Sequence, residues 1–269
     1  MMTNIISFPN LGLGPWEVSR TFSLFGLRIF WYGFFIMLAM IIGTIYVIKT
    51  LPKQGIPKDH IYNMIIFGII AALLGARIYY VLFRLDHFSG NFIRAFAVWE
   101  GGLAIYGGVI AAGFTVWLYC RLKKLDFKIC LDALAIPLLF GQALGRWGNF
   151  TNAEAFGGPT NNVFAMTIQR GGRFIEMVHP TFFYESMWNL VGVIFLFVWK
   201  KYAKFRGELF LTYVAWYGMG RGFIESLRAD SLTLGFEWLR ISQWLAFLSA
   251  TAAIAIIILK RIKMKKTDL

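Results

Sequence analysis

Residues 22–50 read FSLFGLRIFWYGFFIMLAMIIGTIYVIKT, an apolar run interrupted by Arg28 and closed by Lys49. Its length exceeds the roughly 20 apolar residues that carry a helix across a bilayer, so a first spanning helix is expected over 22–48. Similar runs follow at about 61–83, 103–120, 129–145, 182–199, 208–224 and 240–259; the fourth and sixth are short and end in polar residues. Composition agrees with the pattern. With 58% hydrophobic, 18% aromatic and 15% charged residues in 269, there is more apolar surface than a soluble core could bury. The expected fold is an all-α polytopic membrane protein of about seven helices. Residues 1–269 form a single domain, because neither an internal repeat nor a low-complexity linker interrupts them.

Orientation follows from lysine. Lys49, Lys53 and Lys58 fall in the first connection, Lys123, Lys124 and Lys128 in the third, and Lys200, Lys201 and Lys204 in the fifth. Lys260, Lys263, Lys265 and Lys266 fall in the tail, and the chain has no other lysine. Positively charged connections are retained in the cytoplasm, which predicts the N-terminus outside, the C-terminus cytoplasmic and an odd number of spans. Basic residues grouped between apolar runs also explain the net charge of +13 without nucleic acid as a partner. The opening MMTNIISFPNLGLGPWEV has neither a positive n-region nor a small-residue cleavage site, so the first run is expected to stay in the protein. Cys120 and Cys130 flank a lysine-rich loop on the reducing side and read as bystanders. His60, His87 and His179 lack ligand spacing, and neither a metal nor a cofactor is expected.

Arginine is distributed differently. Arg77, Arg84, Arg94, Arg146, Arg170, Arg173, Arg221, Arg228 and Arg240 lie within helices or on the outer side, where charge retention does not account for them. The longest outer connection, 146–181, is expected to form a small extracytoplasmic head. Within it FAMTIQRGGRFIEMV (164–178) reads as two alternating runs about a Gly-Gly turn, a β-hairpin.

Three motifs could carry chemistry. GQALGRWGNFTNAEAFGG (141–158) places Arg146, Asn149, Asn152 and Glu154 at the outer end of the fourth run among Gly145, Gly148, Gly157 and Gly158. Such polar density is costly in a membrane unless the groups satisfy one another or a ligand. A guanidinium fork suits a phosphate, and glycine lets backbone approach closely; the same residues could equally be a helix end with a hydrogen-bonded turn. YGMGRGFIES (217–226) repeats Tyr217, Arg221 and Glu225 every four residues, lining one helix face with a functional site or a structural ion pair. WEGGLAIYGG (99–108) sets Tyr106 among glycines that allow tight packing, where its hydroxyl could serve a substrate or a neighbouring helix. Smaller signals are Tyr32 in WYG, Arg77 in GARIYYVLF, and His179, Tyr184 and Glu185 in HPTFFYES; Arg77 and Glu185 could equally be no more than a buried charge pair.

In this order the motifs resemble the prolipoprotein diacylglyceryl transferases of bacteria. The resemblance runs from WYG (31–33) to Glu225, through WEGGLAIYGG, GRWGNFTNAEAFG, HPTFFYE and the YGxxRxxxE spacing. It implies an enzyme of the bacterial cell membrane, active toward the extracytoplasmic side. Such an enzyme moves the diacylglyceryl group of phosphatidylglycerol onto the lipobox cysteine of a prolipoprotein and releases glycerol 1-phosphate. It also associates Arg146 with the phospholipid, and Asn149, Gly157, Tyr217, Arg221 and Glu225 with activity. Where a number of members carry His in a GGxxxHGG element, this chain has Tyr106, so a histidine base is not expected there.

The reaction develops charge on a phosphate leaving group. Arg146 and Arg221 are therefore expected to clamp the headgroup phosphate, with Asn149 orienting it, Glu225 holding Arg221, and Asn152 and Glu154 sharing the binding end. Tyr106 or Tyr32 would relay a proton or position the thiol. Two other classes fit the residues taken alone: a lipid or solute transporter, and a different phospholipid headgroup transferase.

Overall fold

The computed structural model describes residues 3–88, 92–98, 101–228 and 240–267. Its long helices are α1 (Trp31–Thr50), α2 (Lys58–Leu82), α3 (Ile105–Leu122), α4 (Phe127–Asn152), α5 (Thr181–Trp199), α6 (Glu208–Glu225) and α7 (Ile241–Thr267). The chain divides into two compact units, Met1–Gly43 with Asp132–Leu269, and Thr44–Leu131. Among the described residues six helices, all but α6, are long and apolar enough to cross a membrane. α6 carries Glu208, Arg221 and Glu225, and it buries Glu208 and Glu225 inside its unit, where charged groups find partners.

The N-terminal 30 residues hold four strands. β1 (Thr3–Phe8) and β2 (Leu13–Ser19) pair antiparallel, and β3 (Thr21–Leu24) pairs with β4 (Leu27–Phe30). This corrects the first spanning helix, which starts at Trp31 and not at 22. The cause is local. Phe22, Leu24, Leu27 and Ile29 alternate onto one face of the hairpin and Ser23 and Arg28 onto the other, a period of two that a helix would scramble. Phe25 and Gly26, at φ 50° and 79°, close the two-residue turn.

β5 (Met166–Arg170) and β6 (Arg173–Val178) form the hairpin expected around Gly171 and Gly172, both at positive φ. That hairpin is half of a four-stranded sheet, order β2-β1-β5-β6, in which Ile6 pairs with Ile168. The strands β1 and β2 were not anticipated. Ile6, Met166, Ile168 and Val178 bury against Ala153 and Phe182, which seats the sheet on the end of α4 and the start of α5.

A second correction concerns α4. Expected to end near 145, it continues through Arg146 to Asn152, so the connection to the hairpin begins at Ala153. Gly145 and Gly148 would each weaken an isolated helix by about 1 kcal/mol. Here they admit α1. The Tyr32 ring fills the space of a Gly148 side chain, while a Cβ on Gly145 would lie 3.7 Å from Ile36 and one on Gly141 3.5 Å from Ala39. This antiparallel seam of small residues holds the polar end of α4 on a rigid helix.

α5 and α6 are registered by a reciprocal pair. Trp188 Nε1 donates to the Trp216 carbonyl and Trp216 Nε1 to the Trp188 carbonyl, both at 3.0 Å. The indoles stack at 4.7 Å, each over a glycine of the opposite helix, Gly220 or Gly192. In the second unit α2 and α3 approach through Gly75, Gly107 and Gly108, and the Cys120 and Cys130 thiols lie buried side by side. Arg77 does not form the expected carboxylate pair. Its guanidinium donates to the carbonyls of Arg94 and Ala95, each at 2.7 Å, and to those of Gly101 and Gly102, so that among the described residues backbone carbonyls take its donors.

Candidate active site

The end of α4, the start of α5, the end of α6 and the start of α7 bring charge together within the first unit. Glu185 of α5 is the hub: its Oε2 meets Arg146 Nη2 at 2.5 Å and its Oε1 meets Arg221 Nη1 at 2.8 Å. Glu225 Oε2 takes the other arm of Arg221 at 2.5 Å, and its Oε1 accepts Ser242 Oγ at 2.5 Å. Arg228 stands 3.8 Å from Glu185 and 3.9 Å from Glu225. Arg240 donates to the Glu225 carbonyl.

Burial within the cluster is uneven. The Glu185 and Glu225 side chains are 4% and 3% exposed, whereas Arg146, Arg221 and Arg228 are 19%, 18% and 13% exposed. Among the described residues, three guanidiniums lie against the two buried carboxylates of the hub. Because the carboxylates lie deeper, the accessible face is cationic. Such a face is built to receive an oxyanion with forked, charge-assisted hydrogen bonds.

The asparagines extend this face along α4. Arg146 Nη1 donates to Asn149 Oδ1 at 3.2 Å, and the amides of Asn149 and Asn152 both donate to Glu154 Oε1 at 3.0 Å. Glu154 sits between Ala153 and Ala155, at φ 50° and 54°. Left-handed alanine costs about 1–2 kcal/mol per residue. Burial of Ala153 in the sheet's core offsets part of that cost, and the bend turns Glu154 back onto the helix it follows.

Of the residues expected from sequence, Arg146, Asn149, Asn152, Glu154, Arg221 and Glu225 form one connected network. Tyr32 packs over Gly148, two residues from Arg146 along α4. Tyr217, one turn before Arg221, stacks at 6.2 Å on Tyr213, whose hydroxyl accepts from Gln142 Nε2 at 2.9 Å. Gly157 acts by lacking a side chain: a Cβ there would lie 2.5 Å from the Leu227 carbonyl oxygen and 2.6 Å from His179 Cβ. Its amide donates to the His179 carbonyl at 2.8 Å, and Gly157 also forms an isolated antiparallel bridge with Arg228. Tyr106 belongs to the second unit, near the start of α3, and is 69% exposed. Burial holds the His179 imidazole below its ordinary pKa.

Sequence reasoning gave Glu185 the wrong partner and did not choose Arg228 or Ser242. Arg228 had a signal, since it follows Glu225 by three residues and Arg221 by seven and so shares their helical face. Ser242 had none.

Known proteins agree with the motif order. The sequence profile of prolipoprotein diacylglyceryl transferases matches residues 19–259. A phosphatidylglycerol–prolipoprotein diacylglyceryl transferase of Pediococcus pentosaceus is 37% identical over 266 residues, covering 96% of this chain and 95% of its own. One of Finegoldia magna is 42% identical over 246 residues, covering 91% and 95%. One of Listeria monocytogenes is 39% identical over 241 residues, covering 87% and 86%.

Proposed function

The chain belongs to the prolipoprotein diacylglyceryl transferase family, and from that premise we propose how its arginine cluster serves the reaction. The protein is a membrane transferase that moves the diacylglyceryl group of phosphatidylglycerol onto the lipobox cysteine thiol of prolipoproteins. A bond forms between the cysteine sulfur and a glyceryl carbon, the bond from that carbon to the phosphate oxygen breaks, and glycerol 1-phosphate leaves.

Arg146 and Arg221, with Arg228 beside them, hold the headgroup phosphate and neutralise the charge that grows on it as the carbon–oxygen bond breaks. Glu185 and Glu225 keep the arginines in that geometry before substrate arrives, which removes reorganisation from the chemical step. Asn149 orients the phosphate, and Asn152 and Glu154 fix Asn149. The observation that carries the reading is the cationic, partly exposed face above two buried carboxylates.

The nucleophile comes from the substrate. A free thiol with a pKa of about 8.5 is a few per cent thiolate at neutral pH, and a neighbouring cationic cluster raises that fraction. A strong base is then unnecessary, and the hydroxyl of Tyr32, Tyr217 or Tyr106 positions the thiol or carries its proton. In the membrane α6 brings the number of spanning helices to seven, with the N-terminus outside and the C-terminus cytoplasmic. The lysines support this orientation, because α4 starts beside Lys128 and reaches Arg146 at its other end. The four-stranded sheet then forms the extracytoplasmic head of a single membrane domain.

Purified protein incubated with phosphatidylglycerol and a lipobox peptide is expected to yield the thioether peptide and glycerol 1-phosphate. Arg146→Ala should lose most of that rate, and unchanged transfer would remove the clamp. Tyr106→Phe tests the third hydroxyl directly, since full activity in that variant excludes it from the chemistry.

A further inference from the structure

We infer that the β3–β4 hairpin is an interfacial anchor that seats in the outer leaflet of an anionic phospholipid bilayer, with Phe25 at its tip among the acyl chains. The inference rests on the reading that α1 crosses the membrane.

Phe25 is 96% exposed and Leu27 70%, while the backbone of Phe25 lies at φ 50°. A two-residue hairpin turn of this kind favours Asn-Gly, because the first position must enter the left-handed region. A bulky apolar side chain there has an unfavourable backbone and, in water, an unfavourable surface. Lipid removes the second cost, which accounts for an aromatic residue where Asn would fit the backbone better. The pattern behind the tip agrees. Phe22, Leu24, Leu27 and Ile29 share one face, and Ser23 and exposed Arg28 pair on the other. An apolar face backed by a guanidinium suits acyl chains below and headgroup phosphate above.

Continuity with a membrane helix singles out lipid as the partner. β4 runs without a break into α1, and the Trp31 amide donates to the Arg20 carbonyl at 3.1 Å. Phe22 packs on Trp31 at 4.4 Å and edge-on to Phe34 at 5.6 Å, so the base of the hairpin is fastened to the first turn of that helix. Ile36, Met37 and Met40 continue the exposed apolar surface down α1. At the base, Arg20 Nη2 reaches the Asn152 carbonyl at 3.5 Å. The anchor is thus joined to the polar end of α4, and it sets the height of the arginine cluster above the acyl chains.

The test combines a label with a substitution. Cys120 and Cys130 are 1% and 3% exposed, so Phe25→Cys is the reactive thiol in the folded protein and takes an NBD fluorophore. In vesicles of phosphatidylglycerol and phosphatidylcholine carrying an acyl-chain nitroxide, its emission should shift to the blue and be quenched. Phe25→Asn relieves the turn and removes the anchor. It should keep or raise the Tm and increase KM for phosphatidylglycerol about fivefold in vesicles at unchanged kcat, with no change in detergent micelles. A water-like, unquenched label overturns the anchor, as does an unaltered KM in vesicles or an increase confined to the lipobox peptide. The wild type keeps its hairpin, so absence of transfer by the wild type in the same vesicles would count against the transferase reading and not against the anchor.

Discussion

The first unit carries two charged knots at opposite ends of α6, and they use their carboxylates differently. At the lysine-bearing end, Asp132 accepts the amides of Gly207 and Phe210 at 2.6 and 2.9 Å, and Glu208 accepts the Lys204 amide at 2.8 Å. Glu208, which is fully buried, also pairs with Arg261, whose guanidinium reaches the Tyr202 carbonyl and lies over Trp199. Asp132 closes open amides at the start of α6, and Glu208 ties down the connection before it. At the other end Glu185 and Glu225 accept from guanidiniums that, among the described residues, outnumber them and are more exposed than they are. A carboxylate that satisfies backbone fastens the fold. One that steadies a surplus of arginine prepares a place for an anion.

Substitutions should separate the two knots. The largest effect is expected from Arg221→Gln, which removes the fork bridging Glu185 and Glu225: kcat/KM for lipobox transfer should fall about 1000-fold. A loss below tenfold would mean that the arginine cluster is structural, like the one around Glu208. Glu208→Gln is the counterpart. It leaves Arg261 without its buried partner and should lower unfolding stability in detergent by about 3 kcal/mol, while the folded fraction turns over at the wild-type rate. Impaired kcat in that fraction would erase the distinction.

Gly157→Ala sharpens the comparison from the side. The added methyl must displace Leu227 or His179, moving Arg228 away from the carboxylates. A drop of about tenfold in kcat/KM with the protein still folded is expected, measured in the same transfer assay. The smallest effect concerns pH. The lowered pKa of His179 means that its neutral form is favoured in the folded state. Its contribution to stability is therefore present above the ordinary histidine pKa of about 6.5 and is lost as pH falls through the lowered value. Melting curves should show the wild type losing Tm below neutrality relative to His179→Gln, and parallel curves would contradict this.

Much of this contrast was legible in the sequence, because every lysine falls in alternate connections or the tail while most arginines, Arg121, Arg206 and Arg261 excepted, lie elsewhere. The apolar runs located the seven long helices, six of them long and apolar enough to cross a membrane, and the Gly-Gly turn located β5 and β6. What escaped had physical reasons. Residues 22–30 are apolar enough to pass for the start of a helix, since a hairpin lying against a membrane need not show a strongly polar face. The polar residues 146–152 looked like a loop because the side chains of α1 that fill Gly145 and Gly148 belong to another segment. Strands β1 and β2 find their place only through the distant partner β5. Glu185 was paired with Arg77 on charge alone, and composition could not reveal that four backbone carbonyls satisfy Arg77.

Equilibrium binding of phosphatidylglycerol to purified protein tests the central claim most directly, with wild type, Arg146→Gln and Arg261→Gln compared side by side. Loss of a charge-assisted phosphate contact should weaken binding about tenfold or more in Arg146→Gln, while folded Arg261→Gln binds as the wild type does. Wild-type affinity in Arg146→Gln, or an equal loss in both variants, would contradict the assignment of the Arg146–Arg221 cluster as the phosphate site.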